Sequence, residues 1–210
     1  HDFLYGRIEA RIKTNLHTGT FPAFWLMPTN NIGGWPHGGE IDIWEVINNE
    51  DRAYGTVHNS WACCTTGRPN GSNLSGINYD DWHVMTVDWD ENQIDWYVDG
   101  KYMWTYSKSN VPHGADATTN GWPYDKPFYI IMNQSVGNGG WAARPDVNFT
   151  YETLFDWVRV YQIPSTPDGI GQTPAATSPM SNRIYDLSGR PVSGNPTKGV
   201  YIQGNKKVVK

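Results

Sequence analysis

The 210-residue sequence has little of what nucleic-acid, metal or membrane chemistry requires. It holds no basic run and carries a formal net charge of −5, which argues against nucleic acid and anionic membrane as partners. No apolar stretch approaches the length that spans a bilayer, and no amphipathic helix longer than a turn or two can be traced. Its six His and two Cys show no zinc-ligand spacing. The only cysteines, Cys63 and Cys64, are adjacent; a vicinal disulfide is strained, so two free thiols are expected. The chain opens on His1-Asp2-Phe3 with neither a Met nor a signal peptide, and a mature or trimmed form is expected.

What is abundant is aromatic. With 11 Trp and 12 Tyr the chain exceeds the needs of its core, and such a surplus marks a surface that stacks on flat apolar partners, of which sugar rings are one kind. The length suits one domain of about 160 residues plus something smaller.

Short strands fill the first part of the chain. Residues 5 to 13 alternate Ile8, Ala10 and Ile12 with Arg7, Glu9, Arg11 and Lys13, the pattern of a half-buried strand. Residues 21 to 28 form an apolar run between prolines, expected to be a strand buried on both faces. Further strands are expected at 53 to 58, 82 to 89, 93 to 98, 101 to 104, 127 to 135 and 154 to 161, with loop from 59 to 79. Regular short strands with turn signals between them predict an all-β sandwich or barrel with antiparallel pairing and one concave face. From 163 to 182, four prolines among Ser, Thr, Gly and Ala read as a linker, and 183 to 210 as a small tail with three short strands.

The chemistry concentrates in Gly38-Gly39-Glu40-Ile41-Asp42-Ile43-Trp44-Glu45. Strict alternation would put Glu40, Asp42 and Trp44 on one face and Glu45 on the other. If Trp44 is the extra residue of a β-bulge, the register shifts and Glu45 joins Glu40 and Asp42. Crowded carboxylates push their pKa values apart, making one an acid and another a base or nucleophile, which is the equipment of a glycosidase. The Gly- and Pro-rich loop from Asn30 to Gly39, with Trp35 in it, sits at the rim of whatever cleft Glu40 faces.

On these residues the sequence resembles glycoside hydrolase family 16, a family of endo-β-glucanases and galactanases with a β-jelly-roll fold. The resemblance runs from Tyr5 to Gln162. It is carried by residues 5 to 13, Phe21 to Pro28, Gly34-Trp35-Pro36, the acidic motif and the closing Phe155-Asp156-Trp157-Val158-Arg159-Val160-Tyr161. It implies a jelly-roll sandwich of two antiparallel sheets with a concave cleft, in which Glu40 is the nucleophile and Glu45 the general acid/base. Asp42 between them would tune the nucleophile. The longer form of the motif resembles the laminarinase type, with a retaining mechanism that needs no metal. By the same resemblance Trp25, Trp35 and Trp141 line sugar subsites, Arg11 and Asn133 hydrogen-bond hydroxyls, and His58 sits beside the acid/base. A structural calcium on the convex face would use Asp156 together with backbone groups from the stretch that family members carry before Tyr5. Family members usually carry strands before the Tyr5-Gly6 region; trimming is expected here, with a circular permutant as the alternative.

The tail, through Ile184 to Arg190 and Lys198 to Ile202, resembles the C-terminal sorting segment of the Bacteroidetes type IX secretion system, which implies export to the cell surface or medium. The expectation is a monomeric endo-β-glucanase cutting β-1,3 or mixed-linkage glucan. Alternatives are an agarase or carrageenase on the same motif, or a non-catalytic lectin-like domain binding such polymers.

Overall fold

The computed structural model describes residues 1–63, 67–116 and 118–162, and the backbone of four short strands after residue 183. The chain divides into two compact units, His1–Ile163 and Pro164–Lys210. In the first unit the strands are β1 (Asp2–Phe3), β2 (Gly6–Thr14), β3 (Thr20–Pro28), β4 (Glu40–Glu45), β5 (Arg52–His58) and β6 (Gly71–Ser75). They continue with β7 (His83–Trp89), β8 (Gln93–Val98), β9 (Lys101–Ser107), β10 (Phe128–Val136) and β11 (Thr153–Tyr161). A single 3-10 turn at Lys108–Asn110 is the only helical element among the described residues.

Two antiparallel sheets result, one of six strands in the order β1-β10-β3-β4-β5-β6 and one of five in the order β11-β2-β7-β8-β9. The all-β architecture and the antiparallel pairing are as the strand pattern predicts. Alternation explains β2, whose Ile8, Ala10 and Ile12 are buried in a core shared with Phe24, Leu26, Ile41 and Trp44 of the other sheet. The turn from β8 to β9 is Asp99-Gly100, both at positive φ (50° and 74°), the conformation a tight two-residue hairpin needs.

Two strands differ from expectation for identifiable reasons. β3 is not buried on both faces: Phe21, Trp25 and Met27 stay partly open while Phe24 and Leu26 are fully buried. Its second face is apolar because it lines a cleft. β6 lies inside the stretch expected to be loop; it is an exposed sheet edge whose one apolar residue is Leu74, so it has no periodicity to read.

The second unit contains β12 (Ile184–Tyr185), β13 (Pro191–Val192), β14 (Val200–Gln203) and β15 (Lys206–Val209) in one antiparallel sheet, ordered β13-β12-β14-β15. It has four strands where the sequence suggested three. The linker expected at 163–182 lies outside the described residues.

Candidate active site

β4 occupies the middle of the six-stranded sheet. Against β3, Glu45 pairs with Ala23 and Trp44 with Phe24, but Trp25 pairs with Asp42, so Ile43 has no counterpart. Against β5, Asp42 pairs with Thr56 and Glu45 with Tyr54, so Ile43 and Trp44 together face the single residue Gly55. The bulge is therefore real, but its unpaired residue on the β3 side is Ile43 and not Trp44. Ile43 and Trp44 both enter the core, and the Trp44 indole donates to the Tyr79 hydroxyl at 2.8 Å. That double inward turn brings Glu45 to the face of Glu40 and Asp42.

The three acids then stand against neighbours from adjacent strands. Ala23 beside Glu45 keeps that position open, and Trp25 stands beside Asp42. Trp25 Nε1 donates to Asn133 Oδ1 at 2.7 Å, and Asn133 donates to Ser135 Oγ at 2.7 Å, so both belong to the cleft wall. Trp35, 51% exposed, donates its indole N–H to Glu40 Oε2 at 2.6 Å. His58 pairs with Glu40 across β4 and β5; its Nε2 lies 3.2 Å from Asp42 Oδ2 and its Nδ1 3.5 Å from Cys63 Sγ. Cys63 is disulfide-bonded and not the free thiol expected; Cys64 lies outside the described residues.

Electrostatics separate the acids. Burial, then the Asp42 and Glu40 charges, push the Glu45 carboxyl up to about 9, with His58 pulling the other way. Asp42, 2% exposed, is raised well above the carboxylate range by burial, by the Glu40 charge and by a hydrogen bond to Glu40. At neutral pH Glu45 therefore carries a proton it can give away. The Asp42 carboxyl is likewise held toward its protonated form.

A match to the model of glycosyl hydrolases family 16 covers residues 1–159. The chain belongs to this family. It is 36% identical to a keratan-sulfate endo-1,4-beta-galactosidase of Sphingobacterium multivorum over 79% of this chain and 38% of that one. It is 34% identical to a beta-glucanase of Rhodothermus marinus over 75% of this chain and 57% of that one. The chain thus spans well under two thirds of these relatives. The laminarinase structure from Flavobacterium sp. UMI-01 superposes with a TM-score of 0.67 at 31% identity, over 77% of this chain and 69% of that one. The two-sheet architecture is that of family 16 laminarinases, a jelly roll.

One residue that the family resemblance assigned to the sugar site stands elsewhere. Arg11 is on β2, in the five-stranded sheet, where its guanidinium pairs with Asp156 at 2.6 Å and stacks 4.8 Å over the Trp82 ring. It cannot reach a hydroxyl bound over β4. Asp156 occupies a bulge on β11 and accepts from that guanidinium. Calcium needs six to eight oxygens. Among the described residues no group of three metal-ligating side chains includes Asp156, so backbone oxygens would have to supply most of such a shell.

Trp141, 50% exposed, is held edge-on by Phe21 at 5.5 Å and by Tyr54 at 5.1 Å. Tyr54 pairs with Glu45 and donates to Glu50 Oε2 at 2.5 Å, so this platform is anchored beside Glu45. Phe21 and Tyr54 were not anticipated; their only signal was position on strands flanking the acidic one.

Proposed function

We propose that this chain is a retaining endo-β-glucanase that hydrolyses β-1,3 or mixed-linkage β-1,3-1,4 glucan. The observation that carries the reading is the placement of Glu40 and Glu45 on one face of β4, with the Glu45 carboxyl raised chiefly by burial. A Glu40 oxygen bonds to the anomeric carbon as the glycosidic C–O bond breaks, while Glu45 gives its proton to the leaving oxygen. Water then loses a proton to Glu45 and adds hydroxide to the anomeric carbon, freeing Glu40. Asp42 hydrogen-bonds Glu40, and the Trp35 indole N–H fixes one of its oxygens, which orients the nucleophile. Trp25, Trp35 and Trp141 offer rings to sugars laid across the strands, and Asn133 and His58 offer polar atoms. No step needs a metal.

The 36% identity to an endo-β-galactosidase favours one second reading, a galactan-cutting specificity on the same two acids. A reducing-sugar assay on laminarin, lichenan, agarose and carrageenan separates them. Cleavage of laminarin or lichenan supports the glucanase reading, cleavage of a galactan alone replaces it, and binding without cleavage leaves a lectin. We also propose that the chain acts as a monomer and that its tail, similar to a type IX sorting segment, directs it to the cell surface or medium.

A further inference from the structure

Glu40, Asp42 and His58 present three donor atoms that lie within 4.8 Å of one another. His58 Nε2 and Asp42 Oδ2 are 3.2 Å apart, close to the edge of about 3.3 Å that two ligands at about 2.0 Å from a tetrahedral zinc ion subtend. The contact is short enough for a charge pair yet is not aligned as a hydrogen bond. Asp42 Oδ2 is consequently buried with no hydrogen-bond partner, on a side chain only 2% exposed. A buried oxygen left so is costly, and a cation would satisfy it. On the far side of the imidazole, Nδ1 faces Cys63 Sγ at 3.5 Å, and a contact behind a ring of this kind fixes which nitrogen turns toward a metal. Glu40 and His58 keep part of their surface open to the cleft, leaving a fourth position for water or a sugar hydroxyl.

We infer that Glu40, Asp42 and His58 form an inhibitory site for a divalent transition ion of the zinc class, which occupies the nucleophile and excludes glucan. An imidazole with two carboxylates suits zinc and not magnesium, which demands near-octahedral oxygen coordination. Zinc takes its ligands in their deprotonated forms, so binding releases any proton they hold into solvent.

Calorimetric titration of the full chain with zinc chloride and with magnesium chloride tests this. One zinc per chain and no magnesium binding are expected. His58→Ala should weaken zinc at least about tenfold, the cost of losing even a partner behind a ligand. Asp42→Asn gives the same readout should His58→Ala fail to fold by circular dichroism. Glu45→Gln, outside the triad, should bind zinc as the wild type does although its turnover is lost. Absence of zinc binding, equal binding of magnesium, unchanged affinity in a folded His58→Ala or Asp42→Asn chain, or loss of zinc in a folded Glu45→Gln chain would each overturn the assignment. Only one further arm, displacement of zinc by a laminarin oligosaccharide, rests on the glucanase reading; the titrations stand without it.

Discussion

Trp96 donates its indole N–H to the main-chain oxygen of Asp42 at 2.8 Å, from one sheet to the other. The bulge at Ile43 and Trp44 interrupts the ladder beside that oxygen, and a buried carbonyl left unpaired costs about 1–3 kcal/mol. Gly55 makes room for the indole, since a Cβ there would lie 2.4 Å from Trp96 Cδ1 and 2.6 Å from Met103 Cε. Gly55→Ala should therefore destabilise the fold by about 1–3 kcal/mol, the range for overpacked cores. Thermal denaturation should show a drop of about 2–4 °C for each kcal/mol. Because the displaced indole props β4, kcat should fall as well. A variant with wild-type Tm and kcat would mean that the bulge does not depend on this contact.

The raised Glu45 carboxyl predicts two pH effects. As general acid it must hold its proton, so kcat/KM should fall as pH rises through about 9. For stability the sign is the opposite of a salt bridge. Below the ordinary value of 4.5 folded and unfolded chains are both protonated at Glu45, and there is no penalty. Between 4.5 and about 9 the unfolded chain ionises first, so rising pH draws the equilibrium toward unfolding. Glu45→Gln removes that pull and should raise Tm more at pH 8 than at pH 4.5. An equal change at both would place Glu45 in a watery setting.

Trp35→Phe keeps a ring over the cleft and removes the N–H that Glu40 Oε2 accepts. A hydrogen bond to a charged group contributes about 1.5–3 kcal/mol, so kcat should fall by about tenfold or more with little change in KM. Steady-state kinetics on laminarin decide it; a rise in KM alone would reduce Trp35 to a stacking surface.

Much of this was legible from sequence, and the failures have physical causes. Alternation placed Ile8, Ala10 and Ile12 inside and Arg11 outside, correctly, but alternation cannot say which of two sheets a strand joins. The cleft role of Arg11 came from the family resemblance alone, which alternation could not check. β3 looked buried on both faces because its partly open Phe21 and Trp25 are as apolar as core. The bulge is readable from the need to put Glu45 with Glu40, yet its position depends on what faces it, here Gly55. A glycine inside a strand marks close approach of another group, and that signal was present in Tyr54-Gly55-Thr56.

Arg11→Ala tests the corrected placement. Its guanidinium serves Asp156 on β11 and Trp82 just before β7, both partly exposed, so kcat/KM on laminarin should stay within about twofold of wild type. Stability should change by no more than about 1 kcal/mol. A large loss of kcat/KM with Tm unchanged would return Arg11 to the cleft.

Everything in the mechanism depends on Glu40 and Glu45 acting from one face as nucleophile and acid. Proton NMR of the sugar first released from laminarin reads that directly through the anomeric signal, before mutarotation. Double displacement predicts the β-anomer first, with turnover abolished in Glu40→Gln while oligosaccharide binding survives. Initial release of the α-anomer, or full activity in Glu40→Gln, would contradict it.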